Sequence, residues 1–217
     1  MLRNIDLNEI SDGKLYTSND MAKTDCGGCQ GCSACCHGMG TSITLDPLDF
    51  HRLSSGLGRS FNELITGPIE LNVVDGIILP NLKMTGKDEA CAFLDQNGRC
   101  SVHLIRPGIC RIFPLGRFYE DGSFRYFLQI HECPKPNRTK VRIRKWIDTP
   151  KCQKYEKYIS DWHYYIKGLQ EYAIENIRTD AVQKLSMQVL TTFYVQPFNP
   201  DHDFYEQFYE RLQTASV

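Results

Sequence analysis

Long apolar runs are missing from this 217-residue chain, and so are the common signatures of catalysis. No stretch approaches the ~18 apolar residues that cross a membrane, and the opening segment, MLRNIDLNEISDGKLY, lacks the apolar core of a secretory signal. We therefore expect a cytoplasmic protein with no membrane partner. The chain also lacks a glycine-rich nucleotide or S-adenosylmethionine signature, a G-x-S-x-G, an H-E-x-x-H and a P-loop. These absences leave enzymatic activity open.

An excess of charge of one sign is absent as well. The net charge is −1 and hydrophobic residues make up 41% of the chain, which is typical of a globular protein with a real core. Such a balance gives no global attraction to polyphosphates, so we expect no nucleic-acid partner. The basic run KPNRTKVRIRK at 135–145 departs from this balance. We favour a solvated strand or loop there, and the alternative is a docking patch for an acidic partner or nucleic acid.

Cysteine is the residue that the chain has in excess. Five of its ten cysteines fall within eleven residues, in the run CGGCQGCSACC at 26–36. Cys26, Cys29, Cys32 and Cys36 reproduce the C-x2-C-x2-C-x3-C spacing of bacterial iron–sulfur proteins, although His37 stands where that pattern has proline. Thiolate ligands suit zinc and iron–sulfur clusters, so the run predicts a metal centre.

The other five cysteines are spread along the chain. A single four-ligand zinc site or one [4Fe–4S] cluster would leave six of the ten unused. The count therefore favours more than one centre, or one centre with free thiols nearby. Neither Cys91 and Cys100 nor Cys110 offers four ligands alone, so we expect them to share a centre with the N-terminal run. A disulfide between the sparse cysteines is the disfavoured alternative.

Turn and capping patterns predict an α+β fold. Asp46-Pro47 and Ser60-x-x-Glu63 each predict the start of a short helix. Turn residues between β-branched runs predict three hairpins, pairing Ile69–Val74 with Ile77–Leu79, Cys91–Asp95 with Arg99–His103, and Phe118–Glu120 with Phe124–Ile130. The second hairpin would place Cys91 and Cys100 across from one another.

The two ends of the chain differ in character. We expect residues 1–44 to be mostly loop held by metal, because they show little periodicity. Residues 1–150 would form a small cysteine-rich, metal-centred domain of short helices and hairpins, and residues 151–217 a helical C-terminal extension packed on it. From Tyr155 to Ile177 apolar and aromatic residues recur at helical spacing. We interpret this aromatic stripe as core packing, with a partner-binding face as the alternative.

The order of the motifs resembles the CxxCxxCC cysteine-cluster family, also called the YkgJ type, a zinc- or iron-chelating domain. The resemblance covers roughly residues 26–135 and is carried by Cys29-x2-Cys32-x2-Cys35-Cys36, Ile43-Thr-Leu-Asp46 with Asp49 and Arg52, Cys91-Ala-Phe-Leu, Gly98-Arg-Cys100-Ser-Val and Arg106-Pro-Gly-Ile-Cys110-Arg111-Ile-Phe-Pro114. One related group resembles flagellin lysine N-methylases, which are longer. The chain departs from the usual pattern in its extra Cys26 and in His103, where an aromatic residue is commoner.

The resemblance implies a set of metal ligands. These are Cys29, Cys32, Cys35, Cys36, Cys91, Cys100 and Cys110. Cys133, which precedes a proline, is the eighth choice, and Cys26 and Cys152 follow. Among the histidines only His37 and His131 are candidates.

Two arginines flank Cys110. Arg106 and Arg111 could fix the surrounding turn through a salt bridge, or could offset the charge of a thiolate cluster and so raise its reduction potential. The sequence does not favour either role over the other.

Three functions are compatible with the sequence. The first is a redox or cluster-supported role of one or more iron–sulfur clusters, most simply [4Fe–4S]. The second is that of a structural zinc protein, in which the metal stabilises the N-terminal half and the C-terminal helical region binds a partner. The third is a modifying enzyme related to the flagellin methylases. The sequence does not identify the redox or protein partner.

Overall fold

A computed structural model describes residues 6–25, 27, 32–176 and 179–215. The fold is α+β, as predicted, with small antiparallel sheets followed by C-terminal helices. The helices are α1 Leu7–Ile10, α2 Pro47–Leu57, α3 Phe61–Ile65, α4 Gly108–Ile112, α5 Ile143–Ile147, α6 Cys152–Glu175, α7 Asp180–Leu190 and α8 Phe204–Ala215. The strands are β1 Ser11–Tyr16, β2 Met21–Asp25, β3 Ile69–Val74, β4 Ile77–Leu82, β5 Met84–Thr85, β6 Ala90–Cys91, β7 Leu115–Glu120, β8 Ser123–Gln129 and β9 Thr139–Arg142.

The expectation that residues 1–44 are mostly loop is wrong for the described part of that segment. Strand β1 pairs with β8 at the edge of a three-stranded sheet in the order β1-β8-β7, and β2 pairs with β9 in a two-stranded ribbon. Both partners lie more than 100 residues further along the chain. Local periodicity could not reveal these strands because their pairing is entirely long-range.

Two of the three predicted hairpins are confirmed. Strands β3 and β4 pair across Asp75-Gly76, and β7 and β8 pair across Asp121-Gly122. All four turn residues have positive φ, from 47° to 91°. This is the conformation that the Asp-Gly dipeptide favours in two-residue hairpin turns.

The hairpin predicted for Cys91–Asp95 and Arg99–His103 is wrong. Strand β6 pairs instead with β5, which places Cys91 opposite Met84. The turn at Asn97-Gly98 does form, but only a single bridge, between Leu94 and Cys100, follows it. The chain then enters a 3-10 turn at His103–Ile105. The Asn97-Gly98 dipeptide predicted the turn correctly because turn preferences are local. The partner of β6 could not be predicted in this way, because it is β5, which precedes β6 in the chain.

The predicted helix starts are confirmed. The Asp46 carboxylate caps α2 by accepting a hydrogen bond from the Asp49 amide (2.9 Å), and Ser60 and Glu63 form a capping box at α3. Helix α2 runs to Leu57 and is capped by Gly58, whose φ of 62° is left-handed. None of the helices within the described ranges combines the length and apolar character needed to cross a bilayer.

The C-terminal helices pack against the first half of the chain. The hydroxyl of buried Tyr158 on α6 accepts a hydrogen bond from the Leu48 amide (3.0 Å) and donates one to Asp46 Oδ1 (2.9 Å). The Tyr194 hydroxyl donates to the Leu45 carbonyl (2.9 Å). Most of the aromatic stripe lies in the core, as interpreted, although Tyr172 is 42% exposed and Ile177 lies outside the described residues. The domain division at residue 150 stays a prediction.

We expect Tyr158→Phe to lower the free energy of unfolding by about 1–3 kcal/mol, because it strands the buried Leu48 amide without an acceptor. Chemical denaturation followed by circular dichroism measures this change. Tyr172→Phe, on the same helix but exposed, is the matched control and should change stability by less than about 0.5 kcal/mol. Equal stability of the two variants would contradict the role given to the Tyr158 hydroxyl.

Candidate metal centre

Six cysteine side chains line one cavity of about 680 Å³. They come from the N-terminal run and from the middle of the chain, and they are Cys32, Cys35, Cys36, Cys91, Cys100 and Cys110. All six are free thiols. The structure therefore brings together the two groups of cysteines that the sequence predicted to share a centre.

Short backbone contacts place the N-terminal run against strand β6. A 3-10 turn, Ala34–Cys36, carries two of the thiols, and the next residue, His37, forms a β-bridge with Ala90. The Gly38 amide donates to the Glu89 carbonyl (3.1 Å). Because Cys91 follows Ala90 directly, this bridge fixes the distance between the run and the first mid-chain thiol.

Cys100 is positioned by the tight turn that precedes it. The Asp95 carboxylate accepts hydrogen bonds from the amides of Asn97 (2.9 Å) and Arg99 (2.8 Å), which is the side-chain turn that aspartate favours. The Ser101 amide then donates to the Phe93 carbonyl (2.8 Å). The turn thus returns the chain towards β6 with Cys100 beside the cavity, although not opposite Cys91.

Cys110 lies on α4, and a buried carboxyl group holds that helix in place. Asp49 on α2 is 2% exposed, and its Oδ1 accepts a hydrogen bond from the Gly108 amide (2.7 Å). Any side chain at residue 108 would collide with the Tyr155 hydroxyl of α6, so glycine is required there. Burial raises the pKa of Asp49 well above its ordinary range. Three helices therefore meet behind Cys110.

Asp49 belongs to the motif that begins at Ile43, but the sequence alone assigned it no role. The signal that was available is the spacing of Asp46, Asp49 and Arg52, which puts all three on neighbouring turns of one helix face. The burial of Asp49 could not be read from that spacing. Charged side chains at three-residue intervals are typical of a solvated helix face.

Burial keeps most of the cavity thiols protonated in the absence of metal. Desolvation raises the pKa of Cys91, Cys100 and Cys110, most strongly for Cys110. Cys35 differs, because a hydrogen bond from the Cys36 thiol lowers its pKa to about 7. The same contact raises the pKa of Cys36. The cavity thus holds one thiol that ionises near neutral pH among several that resist ionisation.

The two arginines that flank Cys110 have different surroundings. Arg106 lines the cavity, its Nη1 lies 3.0 Å from His103 Nε2, and its charge favours the thiolate forms of Cys35 and Cys100. Arg111 instead donates to the backbone carbonyls of Leu104 and Asp148. Arg106 therefore faces the thiols, whereas Arg111 donates to backbone carbonyls rather than forming the salt bridge that was one of its two predicted roles.

The remaining cysteines of the predicted ligand set are placed differently. Cys133 is half-buried and does not line the cavity, although its neighbour Glu132 does. Cys152 lines a separate cavity of about 980 Å³ at the start of α6. The structure does not bring these two thiols to the other six. Cys26 and Cys29 lie outside the described residues, so their ligand roles stay predictions.

Within the described part of the chain, no hydrogen bond joins either candidate histidine to a thiol. His37 ring nitrogens lie 3.4 Å from Ser33 Oγ and 3.3 Å from the Asp88 carbonyl oxygen. His131 is exposed. Their ligand roles stay predictions.

The donor chemistry of the cavity suits a thiophilic metal. Sulfur ligands outnumber every other metal-binding side chain on its wall, and such ligands favour zinc or iron–sulfur clusters over magnesium or calcium. Across residues 6–25, 27, 32–176 and 179–215, no three cysteine, histidine, aspartate or glutamate side chains already converge as a ligand set. Metal binding would therefore require the thiols to rotate within the cavity.

Comparison with known proteins yields one finding. A family model named CxxCxxCC, described as "Putative zinc- or iron-chelating domain", matches residues 28–139, which is more than half of the chain. Neither a curated protein nor a solved structure matches. The matched region contains all six cavity cysteines and Cys133, whereas Cys152 lies beyond it.

We expect iodoacetamide at pH 7.5 to modify Cys35 of metal-free protein several-fold faster than Cys91, Cys100 or Cys110. The thiolate is the reactive form, and only Cys35 among these four has a lowered pKa. Mass spectrometry of digests after brief, limiting alkylation measures the order. Cys36→Ala should slow modification of Cys35, because it removes the hydrogen-bond donor. Earlier modification of Cys91 would contradict this order.

We expect Asp49→Ala to lower metal content and to reduce the free energy of unfolding by about 1–3 kcal/mol, because the buried Gly108 amide loses its acceptor. Asp49→Asn keeps an oxygen acceptor of the same size and is the matched control, with a smaller loss of both. Metal analysis and denaturation measure the two effects. An Asp49→Ala protein with full metal content would show that α4 needs no such support.

Proposed function

Because the chain belongs to the CxxCxxCC family of zinc- or iron-chelating domains, we propose that the metal it holds is iron, in an iron–sulfur cluster of the [4Fe–4S] type with a redox or cluster-supported role. The observation that carries this proposal is the convergence of six thiols on one cavity. Four thiolates complete either a structural zinc site or a [4Fe–4S] cluster, so the six thiols support a thiolate-bound metal but do not choose between the two. The choice of iron rests on the iron–sulfur spacing of Cys26, Cys29, Cys32 and Cys36.

The cavity residues would supply the ligands. Cys32, Cys35, Cys36, Cys91, Cys100 and Cys110 have the thiolate chemistry that iron requires, and Cys29 joins them on the spacing of its motif. When bound, the cluster would supply one-electron transfer or a polarising iron. Adjacent Cys35 and Cys36 cannot easily serve one metal ion, and this favours either two centres or one centre with a free thiol beside it.

Arg106 would tune the centre. Its guanidinium lines the cavity and interacts favourably with ionised Cys35 and Cys100. A cation near a thiolate cluster offsets the negative charge and favours the reduced state, which raises the reduction potential. We assign this role to Arg106 alone, because Arg111 uses its guanidinium on backbone carbonyls.

We further propose that the protein works in a reducing compartment, the cytoplasm. The cytoplasm keeps thiols reduced, and ligand thiols that formed disulfides could not bind metal. All eight described cysteines are unpaired, which is compatible with such a compartment. The partner that would exchange electrons with the centre is a separate protein or small molecule.

We expect protein purified without oxygen to be brown and to contain iron with acid-labile sulfide. Iron and sulfide assays and the absorption spectrum test this directly. Colourless protein that holds only zinc, even after anaerobic reconstitution with iron and sulfide, would overturn the iron proposal in favour of the structural zinc site.

Two cysteine variants test the ligand assignment. Cys100→Ser should lower iron content to less than half of the wild-type value, because Cys100 lines the cavity. Cys152→Ser is the matched control, since Cys152 lines the other cavity, and it should retain full iron. Loss of iron from the Cys152→Ser protein, or full iron in the Cys100→Ser protein, would contradict the assignment.

A further inference from the structure

The basic run at 135–145 becomes a one-sided row of positive charge in the structure. No acidic residue occurs between Cys133 and Asp148. From strand β9 into α5 the side chains alternate: Ile143 is fully buried, whereas Lys140, Arg142 and Arg144 are exposed. This segment therefore presents its cations to solvent on one side.

The neighbouring strand adds to the same face. In the β2/β9 ribbon, Lys23 pairs directly with Lys140, and exposed Met21 pairs with Arg142. Like charges that face each other across two strands are destabilising. Within the described part of the chain, none of the side chains of Lys23, Lys140 and Arg142 has an ion pair or a hydrogen bond. The fold thus keeps a pair of facing like charges that no ion pair among the described residues relieves.

The row ends at the cavity of about 980 Å³ beside α6. Arg144 lines this cavity, and its amide donates to the Ser18 carbonyl (2.9 Å) on the cavity wall. Three lysines line it: Lys151, which immediately precedes α6, and Lys154 and Lys157 in the first two turns of that helix. Unlike the ribbon cations, these lysines already contact the carboxylates of Asp203 and Asp161.

We propose that Lys23, Lys140, Arg142 and Arg144, here called the basic ribbon, form a docking surface for an extended acidic segment of another protein. Alternate residues of a strand lie ~7 Å apart, which is also the spacing of alternate side chains in an extended peptide. Acidic residues two positions apart in the bound segment would therefore meet Lys140 and Arg142, the alternate residues of β9, in register.

An acidic protein fits this surface better than a nucleic acid does. The ribbon face carries one exposed apolar side chain, Met21, and no aromatic ring on which a base could stack. The chain as a whole has a net charge of −1, so a long polyphosphate would meet no broad positive field. The proposal does not depend on the identity of the metal.

The test uses the full chain and a fluorescent ten-residue peptide of alternating glutamate and serine. We expect fluorescence anisotropy to show binding that weakens as salt rises from 20 to about 150 mM, because exposed charges are screened over this range. Lys140→Gln/Arg142→Gln should weaken binding about five- to tenfold. Lys87→Gln/Lys184→Gln removes the same charge from two exposed positions outside the ribbon and should bind as wild type.

Each other outcome would overturn the proposal. Failure of the peptide to bind, or an equal loss in the two double variants, would show that the ribbon is not a specific acidic-peptide site. Tighter binding of a fifteen-residue oligothymidylate that depends on Lys140 and Arg142 would assign the surface to nucleic acid. Unchanged peptide binding with new aggregation of the Lys140→Gln/Arg142→Gln protein would mean that the cations only protect a strand edge. Circular dichroism confirms that both variants are folded.

Discussion

The hydrogen bond from the Gly108 amide to the buried carboxyl of Asp49 joins the candidate metal centre to the rest of the molecule. It fixes helix α4, which carries Cys110, against α2. The neighbouring Asp46 carboxylate caps α2 and accepts a hydrogen bond from Tyr158 of α6. A buried acid is costly unless its oxygens are paired, so this arrangement persists only while all three helices stay in place. The position of one thiol thus depends on packing that extends into the C-terminal helices.

The cavity has the thiol side chains that a thiophilic metal needs, but among the described residues these side chains do not yet converge as a ligand set. Desolvation raises the pKa values of Cys91, Cys100 and Cys110, which favours their neutral forms while metal is absent. A bound metal would require thiolates, so binding would release protons and add its free energy to the stability of the folded state. Cys35, with its lowered pKa, is the thiol from which such binding would begin most readily. Metal binding would therefore be coupled to the stability of the folded state, although the described residues contain no preformed ligand set.

The candidate metal centre and the basic ribbon lie in different parts of the fold. The thiol cavity lies among β6, α4 and the N-terminal run, whereas the basic ribbon and its adjoining cavity involve β2, β9 and the start of α6. A redox or metal-delivering centre needs a partner, and a surface away from the thiols could hold one without blocking access to the metal. The pairing of Lys23 with Lys140, which no ion pair among the described residues relieves, is the observation behind the proposal that this face binds a partner.

What the sequence determined by itself is local. The cysteine spacing indicated metal, the Asp-Gly turns indicated two hairpins, and Asp46 and Ser60 indicated helix starts, because spacing, turn and capping preferences act over a few residues. Tertiary structure alone decided that β1 and β2 exist, that Cys91 pairs with Met84, and that Cys152 lies in a different cavity from the other thiols. It also decided that Asp49 is buried behind Cys110. These features depend on contacts between distant segments, whose formation is governed by the packing of the whole core rather than by any short run of residues.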